Sequence, residues 1–144
     1  MVAETPEASD CAWSAAIAAA VLRRGGLLHT ASLVLTVATV IAGVATRPDR
    51  AWLVAIAAIA VLGIVEFWLA ARVALDAELF DVLAARPLDL AGFDQAMQSL
   101  GLMPPTKANR PLADRIRGAF RLLKLQALTL GLQVAVLVIG GLRG

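Results

Sequence analysis

His29, Glu66 and Gln126 are the residues of this chain whose types could do chemistry in an unusual setting. His29 opens the apolar run LLHTASLVLTVATVIAGVA, Glu66 sits inside AVLGIVEFWLAA, and Gln126 begins LQALTLGLQVAVLVIGG. An ionisable group within a membrane span costs about 2.5–3.5 kcal/mol on insertion scales, so such a side chain turns toward a bundle interior and finds polar partners at its own depth. Counting along the three runs predicts all three residues at one level, near the end of each span. Two chemistries follow from that coincidence. The cluster is either hydrogen-bonding glue between helices, or a polar path for protons or ions with Glu66 and His29 titrating.

Two stripes extend the polar theme. Ser32, Thr36, Thr39 and Gly43 continue from His29 at three- and four-residue spacing, and Thr129, Gln133 and Gly140 continue from Gln126. Small and hydroxyl-bearing residues on one face let membrane helices approach closely and hydrogen-bond across the interface. The stripes therefore predict helix packing, within the chain or toward a partner.

Other chemistries find no support. With one His and one Cys, the chain cannot build a closed zinc or haem site, and no cofactor or metal is expected. Ser14, Ser32 and Ser99 lack the context of a nucleophile elbow. No phosphate-binding glycine fingerprint occurs, since Gly25–Gly26 and Gly140–Gly141 read as helix ends. The basic segment carries only Phe120 among its charges, too few aromatics to stack bases, so nucleic acid is not an expected partner.

The elements that must position these residues follow from composition. The 144 residues are 60% hydrophobic and 17% charged, against about 25% charged in an ordinary soluble domain. The sequence predicts an all-α membrane protein with three transmembrane helices, an N-terminal interfacial helix and a cytoplasmic helical hairpin extension. Residues 1–9 read as a disordered tail, capped at Ser9 or Asp10 into an interfacial amphipathic helix over 10–24 that Gly25–Gly26 break. Spans are expected at 27–45, at 51–71 and within 111–141. The second continues as a cytoplasmic helix to about residue 85, because no Pro or Gly interrupts it before Pro87. A short cytoplasmic helix is expected over 88–101, capped by Asp89. Trp52 and Trp68 suit the two interfaces of the second span.

Charge gives orientation. Arg72, Arg86, Lys107, Arg110, Arg115, Arg117, Arg121 and Lys124 crowd between the second and third spans. The positive-inside rule then puts the N-terminus in the cytoplasm and the C-terminus outside. The acidic start, with Glu4, Glu7 and Asp10, speaks against a cleaved signal. The abundance of Arg and Ala fits a high-GC bacterial coding bias, and the expected location is the bacterial inner membrane. Within the hairpin, an outgoing arm with Asp76, Glu78 and Asp81 faces a returning arm with Arg115, Arg117, Arg121 and Lys124. Setting Arg72 level with Lys124 pairs Asp76 with Arg121 and Asp81 with Arg115. The competing expectation is a basic arm against anionic lipid headgroups.

The function these features predict is non-catalytic: an accessory or scaffold subunit of a bacterial inner-membrane complex, or a homo-oligomer. Its partners would be the lipid bilayer and other membrane-protein subunits or a second copy. A channel or transporter component using Glu66 and His29 is the alternative, and a small membrane enzyme acting on lipids or thiols the third.

Overall fold

The architecture is that of three long rods. A computed structural model describes residues 6–45, 49–85 and 90–141, and these are helical with no strand. The elements are α1 (Pro6–Arg23), α2 (Gly25–Ala45), α3 (Arg50–Ala85), α4 (Leu90–Ser99), a 3-10 turn (Pro105–Lys107) and α5 (Leu112–Gly141). Three stretches are long and apolar enough to cross a membrane: Ser9–Gly43, Arg50–Ala85 and Leu112–Gly141. The expected stop at Pro87 and cap at Asp89 lie outside the described residues, as do residues 1–5.

Heptads explain why the rods pack side by side. On α3 the buried positions Ile59, Glu66, Val73 and Phe80 recur every seven residues, and Ala55, Leu69 and Leu83 belong to a second such series. On α5, Ala119, Gln126 and Gln133 do the same. Through α1 and α2 one buried series with the same spacing is Ala18, Gly25, Ser32 and Thr39. A seven-residue repeat keeps one seam facing its neighbours along a supercoil. At 1.5 Å per residue, the 36 residues of α3 span about 54 Å, well beyond a hydrocarbon core of about 30 Å. The bundle is therefore longer than a hydrocarbon core is thick.

Three expectations about the N-terminal region need correcting. Residues 6–9 are helical, so the tail does not reach Ser9, and Ser9 and Asp10 lie inside α1 rather than capping it. A proline fits the first helical turn, where its missing N–H has no partner to lose. Nor do the glycines break the rod. Only Arg24 leaves the helix, bridged by i→i−3 bonds from its own N–H to Val21 O (3.1 Å) and from Leu27 N–H to Arg24 O (3.0 Å). Gly25 is there for contact: a Cβ on it would lie 3.0 Å from both Gln126 Oε1 and Val73 Cγ1.

Finally, α1 is not spread on a surface by its large apolar residues. Ala15, Ala18, Ala19 and Leu22 face inward and join Val73, Ala77, Phe80, Leu83 and Ala119 in one core. Trp13 and Ile17 face outward. The alanines win the inner face because they let helix backbones approach closely. The hairpin extension is thus a three-helix bundle, with α1 as its third member and α4 packed across the tip.

Candidate functional site

The predicted cluster assembles at the point where α2, α3 and α5 meet. Glu66 is 1% exposed and Gln126 fully buried. Gln126 Nε2 donates to Glu66 Oε1 at 2.8 Å and to the Gly25 carbonyl at 2.9 Å. His29 Nδ1 lies 2.9 Å from Glu66 Oε2. With its proton on Nδ1 the imidazole donates, so each carboxylate oxygen accepts one hydrogen bond. The His29 ring tilts against Phe67, with centroids 5.7 Å apart. Gln126 Oε1 has no hydrogen-bond partner among the described residues and rests against Gly25.

Two turns further along the rods lies a second polar layer. Ser32 Oγ donates to Gln133 Oε1 at 2.7 Å. Gln133 Nε2 donates to Thr36 Oγ1 (3.1 Å) and more weakly to the Ile59 carbonyl (3.4 Å). Gln126 and Gln133, one heptad apart, thereby bind α5 to both other rods. Thr39 and Thr129 instead return their hydroxyls to carbonyls on their own helices, Leu35 and Leu125. The glycines make room: Gly140 meets the Trp52 ring, Gly43 meets Ile56, and Gly63 meets the Thr36 side chain.

Among the described residues, no ion pair joins the two charged arms across the hairpin. Asp81 bonds Arg23 of α1, and Arg115 bonds Asp94 of α4. Arg117 pairs locally with Asp114 at 3.0 Å. The expected Asp81–Arg115 contact is replaced because α1 and α4 each bring a closer partner. Arg72 lies over the Trp68 ring at 5.2 Å, while Arg121 and Lys124 are exposed. Asp76 occupies the heptad series of Leu69 and Leu83. Burial there raises its carboxyl above the usual range, against the smaller lowering effect of Arg72 one turn away.

Sequence reasoning missed Asp94, the most connected group of the tip. It is 3% exposed. Arg115 Nη2 lies 2.7 Å from Oδ1 and donates to Oδ2 at 2.8 Å, and the Asn109 N–H donates to the same Oδ2 at 2.7 Å. Asn109 sits at φ 58°, a left-handed conformation that Asn tolerates. One signal was present, since Asp94 falls between Leu90 and Met97 at core spacing. Asp49 was missed too: its Oδ1 accepts from the Trp52 N–H at 2.8 Å and caps α3.

Chemically, the site is a set of hydrogen bonds made within the chain, with Gln126 Oε1 left over. Among the described residues no group of three or more His, Cys, Asp or Glu side chains could hold a metal ion. Compared with protein-family models, curated proteins and solved structures, the chain matches none.

Proposed function

We propose that this chain is a small non-catalytic membrane protein, an accessory or scaffold subunit of a bacterial inner-membrane complex or a homo-oligomer. The observation that carries this reading is the closure of the polar cluster. Apart from Gln126 Oε1, the polar groups of Glu66, Gln126, Gln133, Ser32 and Thr36 find partners within the bundle, His29 and the Gly25 carbonyl among them, leaving large apolar side chains such as Val34, Ile41, Ile64 and Val138 on its outside. Such a body is a rigid membrane element that other helices can pack on. In this reading the N-terminus and the extension are cytoplasmic and the C-terminus is external. In a Cys11→Ser background, Ala108→Cys then reacts with an impermeant thiol reagent only after the membrane is opened.

A specific observation keeps the transport reading as the runner-up. His29 touches Glu66 and also lines the surface grooves on either side of it, which gives the buried carboxylate a polar neighbour within reach of the exterior. Purification in mild detergent followed by reconstitution tests the two together. The scaffold reading expects a co-purifying membrane partner or a ring of copies, normal assembly of Glu66→Gln, and no proton flux in liposomes. Flux from the wild-type chain that Glu66→Gln abolishes without loss of assembly establishes transport instead.

A further inference from the structure

A groove of about 280 Å³ runs between the α1–α2 junction and α3. Its floor is made of small residues, Gly26, Ala70, Ala74 and Ala77, and its walls include Leu22 and Phe67. Its polar residues sit at the two ends. His29 closes one end, while Arg23 and Glu78 line the other. Gly26 is open to it, since a Cβ there meets nothing within 4 Å.

The depth of the groove identifies the kind of occupant. His29 meets Glu66, so stepping back five residues on α2 and forward six on α3 sets Arg24 level with Arg72. Together with the Trp68–Arg72 stack, this tier marks where hydrocarbon gives way to headgroups. Glu78 lies six residues further out, about 9 Å at 1.5 Å per residue. A headgroup layer is about 5–7 Å thick on each side of the hydrocarbon core. The apolar half of the groove therefore lies in the hydrocarbon, and its charged mouth lies at the outer edge of the headgroups.

The charges at the mouth are layered. Arg23, one residue from the Arg24 and Arg72 tier, lines the groove at phosphate depth, and below it comes Glu78, with Asp81 bonded to Arg23 beside it. A cationic tier above an anionic tier complements a headgroup that carries its phosphate first and an ammonium beyond it. An anionic headgroup would meet Glu78 and Asp81 with like charge.

We propose that this groove is a binding site for one phospholipid with a zwitterionic, amine-bearing headgroup such as phosphatidylethanolamine. One acyl chain lies over Gly26, Ala70 and Ala74, the phosphate sits beside the exposed Arg23 guanidinium, and the ammonium faces Glu78. The inference rests on the membrane reading above, so its test must separate the two.

The purified chain is reconstituted in phosphatidylcholine vesicles containing phosphatidylethanolamine with a photoactivatable diazirine in one acyl chain, and labelled peptides are mapped by mass. Labelling concentrates on residues 22–29 and 67–78. Excess unlabelled phosphatidylethanolamine lowers it about tenfold, and phosphatidylglycerol leaves it nearly unchanged. Gly26→Leu, which fills open space without a backbone collision, removes the groove signal, and Glu78→Gln weakens it without changing labelling elsewhere. A chain that fails to float with the vesicles overturns the membrane reading and this site with it. A chain that floats but is labelled evenly around its faces, or whose labelling phosphatidylglycerol competes equally well, overturns the site alone.

Discussion

The two halves of this molecule are built on the same three rods, yet one mixes polar residues among Ala55, Ile59 and Leu69 in its core while the other is almost wholly apolar but for Asp94 at the tip. In the spanning half the buried residues include Ser32, Thr39, Glu66, Gln126, Thr129 and Gln133. In the extension they are Ala15, Ala18, Leu22, Val73, Phe80, Leu83 and Ala119. The heptad geometry does not change between them, so on the membrane reading proposed above the surroundings account for the difference. Against water, burying apolar area drives helices together. Against lipid it does not, because acyl chains are as apolar as leucine, and close packing with hydrogen bonds must hold the helices.

Substitutions can break or sharpen that contrast. The largest effect is expected where the apolar core meets water: Phe80→Ala should cost about 3–5 kcal/mol, read as unfolding of the extension in detergent while the spanning helices persist. In the polar half, Gln133→Leu removes three hydrogen bonds and should cost only about 1–2 kcal/mol, because the replacement stays compatible with lipid. A loss as large as that of Phe80→Ala would show that one mechanism holds both halves. The smallest effect belongs to Asp76, a carboxylate placed on a core series of the water-facing half. Its raised folded pKa means that the folded state binds the proton more tightly than the unfolded chain does. Stability therefore falls as pH rises from the ordinary aspartate value through the raised one. Asp76→Asn should raise the melting temperature slightly at pH 7, and the gain should vanish on acidification below that interval.

Legibility in the sequence followed the same divide. Polar side chains are rare in apolar runs, so His29, Glu66, Gln126 and Gln133 announce themselves, and matching their depths is enough to bring them together. Charged side chains in the extension are common, long and exposed, and several partners lie within reach of each. Asp81 therefore had no preference that its spacing could reveal, and Arg23 of α1 captured it. The position of α1 was hidden by its composition. Alanines on the inner face and Trp13 and Ile17 on the outer face invert the usual amphipathic reading, in which the largest apolar residues mark the buried side. Asp94 was obscured because an acid at a core position reads as a disruption until Arg115 and the Asn109 N–H are placed around it.

The unbroken seven-residue rhythm of α3, shared by Ile59, Glu66, Val73 and Phe80, makes the molecule sensitive to phase. A single inserted residue near Arg72 would turn everything beyond it by about 100°, swinging Phe80 out of its core while leaving Glu66 in place. Insertion of a whole heptad would restore the angle but lift the outer segment by about 10 Å, away from α1 and α5. The chain can therefore lengthen or shorten only in sevens, and only if all three rods change together. The distance from the Glu66 cluster to the tip at α4 is quantised, as a ratchet fixes the travel of a lever.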